Sequence, residues 1–403
     1  MKRYAFAGAS GRARYMFATP LFTELKEYAE LVGVYDVSSA RARLISMECG
    51  NIPVYDSFER MIDETCPDVV IVTTVDRFHH EYIIKALEAG CDVITEKPMT
   101  IDAQKCKAIL DAEKRTGKRV TVTFNYRFIP YVTKIKELIR DGILGEILSV
   151  DFEWLLDTRH GADYFRRWHR YMENSGGLLV HKATHHFDLV NWWLNEEPEE
   201  VYAFGTRRFY GPVREKRGER CLTCAYKKEC EFYWDISKDE FASEMYLNAE
   251  ADCGYIRDKC VFGEDIDIYD TMSVNVKYSG GALLNYSLIA HSPYEGWRAA
   301  VNGTKGRIEA EEFHSGQRVE EKIQEIRFFD RRGDVVKYNI KKAEGGHGGG
   351  DERLRRMIFV GDIPDPLGHQ ASSWDGAMSI LVGAAANISI SEKRPVNVKE
   401  LIK

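Results

Sequence analysis

The chain has 403 residues, 44% of them hydrophobic and 30% charged, with 56 basic and 63 acidic side chains and a formal net charge of -7. That is a globular composition, too long for one ordinary core, and it points to about two or three domains. No half of the chain carries a basic stripe, which argues against a nucleic acid partner. Apolar runs such as 68–74 are strand-length, so no membrane span is expected.

The opening Met1-Lys-Arg-Tyr-Ala-Phe-Ala-Gly8 enters a strand and a glycine turn at once, without an apolar leader, and a cytoplasmic protein is the expectation. Residues 3–8 read as a buried strand, followed by a turn through Gly8, Ser10, Gly11 and Arg12 and a helix to about residue 26. The pattern G-x-G-x-x-G is incomplete here, with Ser10 and Ala13 at its second and third positions. Asp36 closes the next strand, 31–36, where a carboxylate accepts ribose hydroxyls and repels a 2′-phosphate. NAD is therefore favoured over NADP, although Arg41 lies one turn on, and Asp36 could instead cap the helix beginning near Ser38. Further strands at 69–73, 92–95 and 120–124 alternate with helix-period segments at 80–89 and 103–116. This implies a parallel, doubly wound sheet over residues 1–124.

Thr95-Glu96-Lys97-Pro98 sits at the C-terminal end of a strand, the edge where open α/β sheets bind ligands. Taken alone, the triplet could be a surface lysine before a loop proline. It has company in 74–79 (Thr74 to His79), 86–90, 125–130 (opening on Asn125-Tyr-Arg127), 142–145 and Gly176-Gly177…His185…Asp188. This ordered set resembles the Gfo/Idh/MocA family of glucose–fructose oxidoreductases, inositol dehydrogenases and related sugar dehydrogenases. The resemblance covers nearly the whole chain. It implies an α/β Rossmann domain followed by an α+β domain with an open, mostly antiparallel sheet over 125–403. It further implies NAD as coenzyme, bound by Gly8, Ser10, Gly11, Arg12, Asp36, Arg41, Thr74, His79, Glu96, Lys97 and Asn125. A homo-oligomer, dimer or tetramer, paired through the outer face of the second sheet is also implied.

The chain after residue 125 shows strand patterns at 147–154, 200–205, 272–278, 282–289, 298–302, 306–310, 325–329 and 335–340, with a hairpin turn at Gly280-Gly281. Ser175 to Trp192 reads as a glycine-rich entry to a helix, placing His181, His185, Asp188 and Trp192 on one face. A neutral imidazole suits removal of a hydroxyl proton near pH 7, and an ammonium offsets the alkoxide charge. His185 is thus the expected general base and Lys97 its electrostatic partner. His181 stands where the family often has aspartate, and its role as substrate ligand, relay or replacement is open. A metal on His181 and His185 is disfavoured by the cation Lys182 next in sequence. Arg127, Arg159, Tyr164, Arg167, Trp168, Lys182 and His347, the last in the glycine loop 345–350, are the expected substrate contacts.

The segment 207–265 is a long insertion with little strand pattern. It holds Cys221, Cys224 and Cys230 at C-x2-C-x5-C, with Cys260 beyond, and a structural zinc on these four is the expectation; free thiols, redox disulfides or an iron–sulfur cluster are rivals. The leading function is reversible oxidation of a ring hydroxyl on a sugar, glycoside or cyclitol, C3 of a glycoside being one specific case. A glycosidase using transient oxidation, or a non-catalytic nucleotide-binding regulator, would be the alternatives.

Overall fold

The computed structural model describes residues 1–402 and contains two sheets. The first is built from β1 (Lys2–Ala7), β2 (Ala29–Tyr35), β3 (Val54–Tyr55), β4 (Val69–Val72), β5 (Asp92–Thr95) and β6 (Val120–Val122). The second is built from β7 (Ile147–Asp157), β8 (Pro198–Thr206), β9 (Thr271–Tyr278), β10 (Leu283–Ser292), β11 (Gly296–Gly303), β12 (Gly306–Phe313), β13 (Ile323–Asp330) and β14 (Val335–Lys341). Near the end of the chain, β15 (Ala371–Ser372) returns to the first sheet and β16 (Val396–Asn397) joins the second.

The first sheet runs β15-β6-β5-β4-β1-β2-β3 and is parallel apart from β15, which lies antiparallel to β6. All four residues of β4 are buried, as in a strand covered by helices on both faces. The second sheet runs β14-β13-β12-β11-β7-β10-β9-β8-β16, antiparallel except where β10 meets β7. Its strands alternate: in β9, Met272, Val274, Val276 and Tyr278 are buried while Ser273, Asn275 and Lys277 face out. The buried face carries Phe152, Trp154, Tyr286 and Trp297, and helix Thr184–Leu194 packs on it through the His186 ring, stacked 4.2 Å from Trp154. Helix Ser373–Glu392 ties the halves together. A Cβ on its Gly376 would stand 2.9 Å from Val122 of β6, and one on Gly383 only 2.3 Å from the Leu179 carbonyl.

Every strand expected from the sequence is present, with ends moved by at most three residues. Two helix expectations need correction. The helix after the glycine turn is a widened turn, Ala13–Ala18, followed by Thr19–Thr23. Pro20 has no N–H to donate back into the preceding turn, so a continuous ladder is interrupted there. The 175–192 segment is likewise two helices, Leu178–His181 and Thr184–Leu194, broken at Lys182-Ala183. His181 and His185 therefore do not share one regular helical face. After the glycine loop the chain forms helix Gly350–Arg355, which ends in a widened turn, Arg356–Val360.

The expected zinc centre is not shown. Among the described residues no group of three or more His, Cys, Asp or Glu side chains stands together as a metal requires. All nine cysteines are free, and the Cys221 thiol accepts a hydrogen bond from the Arg166 guanidinium at 3.0 Å. The insertion buries Tyr210, Phe232, Ile236, Met245 and Phe262, of which Tyr210, Phe232 and Phe262 pack into the core of the second domain. Arg220, bridging Asp258 and Glu250 at 2.6 Å each, staples its strands of chain.

Candidate active site

The C-terminal edge of the parallel sheet collects the glycine turn, Asp36, Thr74, Asp76, Glu96 and Lys97, because β1, β2, β4 and β5 all end there. Gly8 has φ +103°, and a Cβ on it would lie 2.8 Å from the backbone of Thr73 and Thr74. Only glycine lets β1 turn this close to the end of β4. Asp36 accepts from the N–H of Ala9 and of Ser38, both at 2.7 Å, and Arg41 donates to it at 2.8 Å. One carboxylate thus fixes the turn and holds Ser38, whose side chain caps helix Ser39–Glu48. Ser10 Oγ accepts from Ala13 N–H at 3.2 Å. A side-chain-free approach at Gly8 and a carboxylate at the end of β2 fit a dinucleotide coenzyme. The Arg12 guanidinium spans Glu96 (3.0 Å) and Asp351 (3.5 Å) at the rim of this cleft.

Lys97, just past β5, directs its ammonium at the carbonyl of His181, 3.5 Å away, and so joins the two domains. Burial pushes its pKa down, with Glu96 and Asp76 opposing. His181 pairs through Nδ1 with Asp76 Oδ2 at 2.5 Å. Burial raises the Asp76 pKa well above the carboxylate range against the pull of Lys97 and Arg167, and burial with Lys97 and Arg167 holds His181 well below the ordinary histidine value. His185 is buried, with its ring 4.6 Å from that of Tyr126 and its Nδ1 unpartnered. Burial first, then Lys97 and Lys182, depress its pKa well below 6.5. The imidazole is therefore neutral at physiological pH, as a general base must be.

Lys182 places its ammonium 4.4 Å over the Trp154 ring, and burial lowers its pKa to about 8 despite Glu295. Tyr164 packs edge-on to His181 at 5.6 Å, and Trp168 does so at 5.8 Å. The Tyr164 hydroxyl meets His160 Nε2 at 3.1 Å, and His160 Nδ1 faces both oxygens of Glu295 at 2.9 Å, a relay-like chain along one wall. Arg167 is held by Asp163 at 3.2 Å. In the glycine loop, His347 adopts φ +48° and pairs with Asp351 at 2.9 Å, its ring 5.8 Å from Tyr126. Asp351 also receives Asn125 Nδ2 at 2.6 Å. Its pKa is lowered because His347, Arg12 and Asn125 outweigh the cost of burial.

Four expected residues lie elsewhere or do something else. Arg127 is fully buried in an ion pair with Asp188 (2.6 Å) and Asp375 (3.0 Å), so neither it nor Asp188 faces a substrate. Arg159 is exposed on the outside of helix Thr158–Arg166. Both ring nitrogens of His79 face backbone carbonyls, those of Pro98 at 2.9 Å and Thr74 at 3.0 Å, so it braces the loop after β4 against the one after β5. Thr74 presents its carbonyl to that brace. Conversely, Asp76, Tyr126, His160, His169, Glu295 and Asp351 belong to the cluster without having been singled out. Asp76 was within reach of sequence reasoning, since it lies inside the 74–79 motif. Glu295 was not, because nothing in sequence links it to His160, 135 positions away.

The oxidoreductase-family model for a NAD-binding Rossmann fold matches residues 2–124, and that for the family's C-terminal α/β domain matches residues 136–398. YteT of Bacillus subtilis (strain 168), which carries the name oxidoreductase, is 42% identical over 429 aligned positions, covering 100% of this chain and 99% of its own. D-glucoside 3-dehydrogenase of Escherichia coli (strain K12) is 34% identical over 165 residues, 41% of this chain and 46% of that one. Levoglucosan dehydrogenase, solved with NADH and L-sorbose, superposes with a TM-score of 0.72 at 18% identity over 100% of both chains, which shows a shared fold. The chain belongs to the Gfo/Idh/MocA family of oxidoreductases, with its NAD-binding Rossmann domain first and the family's C-terminal α/β domain after it.

Proposed function

We propose that the protein oxidises a ring secondary hydroxyl of a sugar, glycoside or cyclitol with NAD, C3 of a glycoside being the specific case. The observation that carries this reading is the meeting of Lys97 with the His181–His185 segment beside the Gly8 turn and Asp36. Gly8, Ser10, Gly11, Arg12 and Asp36 hold the coenzyme, which supplies the hydride acceptor when bound. His185, kept neutral, takes the hydroxyl proton. The Lys97 ammonium offsets negative charge building on the same oxygen. Asp76 orients His181, which stands beside Lys97 where the family often has aspartate. Lys182, Tyr164, Trp168 and His347 offer the hydrogen-bonding and stacking groups a polyol ring needs. The similarity to a D-glucoside 3-dehydrogenase supports the choice of carbon.

The kinetics of Lys97→Ala and His185→Ala test the assignment. Each is expected to lose about 10²–10⁴-fold in turnover while binding NADH within a few-fold of wild type. Turnover unchanged in either variant removes that residue from the chemistry.

A further inference from the structure

The insertion does more than decorate the second domain, for it reaches across onto the coenzyme cleft. A Cβ at Gly11 would lie 3.1 Å from the Phe241 ring and 3.4 Å from the Tyr246 hydroxyl. Glu244 pairs with Arg14 at 3.1 Å. Asp252 goes furthest: its Oδ2 accepts from the Ala40 N–H at 2.8 Å, Ser38 Oγ at 3.2 Å and Ser39 Oγ at 3.3 Å. Those groups open the helix after β2, beside Asp36, which itself takes the Ser38 N–H at 2.7 Å and Arg41 at 2.8 Å.

A 2′-phosphate on the adenosine ribose would need uncommitted N–H, O–H or cationic donors at the end of β2. Here those of Ser38, Ser39, Ala40 and Arg41 are committed to two carboxylates. We infer that Asp252, delivered by the insertion, is a second determinant of coenzyme specificity, which with Asp36 excludes a 2′-phosphorylated dinucleotide. The inference rests on the reading of Asp36 as the ribose-binding residue. Arg43 is the nearby cation acting on Asp252 and Arg41 is paired with Asp36, so the exclusion rests on donors already committed to the two carboxylates as much as on their charge. Asp252 is exposed, so its repulsion is sensitive to salt.

Fluorescence titration of the full chain with NADH and NADPH tests this without any substrate. Wild type is expected to bind NADH much more tightly. Asp252→Asn keeps an acceptor for the Ala40 N–H but removes the charge; it should narrow the NADPH-to-NADH ratio of Kd about tenfold at low salt, through tighter NADPH binding. The narrowing should shrink at high salt, and Asp252→Glu should keep the wild-type ratio. A ratio unchanged in Asp252→Asn, or both coenzymes weakened together, overturns the role of Asp252 and leaves that of Asp36 standing. A wild type that binds neither coenzyme, or both equally, overturns the Asp36 reading as well.

Discussion

Lys182 and Lys97 depress the His185 pKa from positions that the sequence leaves far apart or ambiguous, and the pH profile is where this becomes measurable. A cation beside an imidazole disfavours its protonated form. Removing one, as in Lys182→Met, should raise the His185 pKa, so the acid limb of kcat/KM moves to higher pH. Lys182 itself, at about 8, loses its charge on the alkaline side. An acid limb at the same pH in wild type and Lys182→Met would mean that another group titrates. At this scale the sequence was informative wherever a residue sat in a local motif: Lys97 before Pro98, His185 after the double glycine, Asp36 at a strand end. It misled at Arg127, because a cation in a motif says nothing about what faces it, and here two carboxylates from distant helices do. It missed Glu295 for the same reason.

The strands were legible because burial imposes period two on β9 and continuous apolar runs on β4. The two-residue strands β3, β15 and β16 were not, since they are too short to show any period. The break at Lys182-Ala183 was hidden because neither residue is a glycine or proline that would mark it. Two substitutions test elements rather than chemistry. Gly8→Ala would force a Cβ to within 2.8 Å of the Thr73 backbone at φ +103°, so it should sharply weaken NADH binding; unchanged binding would separate the turn from the coenzyme. Arg127→Leu leaves Asp188 buried without its partner and should destabilise the protein by about 3–5 kcal/mol in denaturant unfolding. A loss below about 1 kcal/mol would show that Asp188 is relieved by other groups.

Taken whole, the molecule places its coenzyme edge, the His181–His185 break and the inner face of the second sheet against one another, with helix Ser373–Glu392 locking the arrangement. No described helix is long and apolar enough to cross a membrane. The outer face of the second sheet carries an alternating set of charges, Asp151, Glu153, Arg298, Arg307, Glu309 and Arg327, around a shallow groove. We propose that this face pairs copies of the chain, so sedimentation should give a dimer or tetramer that Arg298→Glu weakens; a wild-type monomer at micromolar concentration would contradict it. The Cys-rich insertion shows the limit of spacing as evidence: C-x2-C-x5-C suggested zinc, and among the described residues no metal-binding group is shown.

The most direct test of the central claim is the stoichiometry of the reaction on a panel of sugars, glycosides and inositols supplied with NAD. The account predicts one NADH formed for each ring hydroxyl converted to a ketone, and almost none in Lys97→Ala. Release of an aglycone with no net NADH would instead make the protein a redox-neutral hydrolase, and NADH binding without turnover of any polyol would contradict a dehydrogenase altogether.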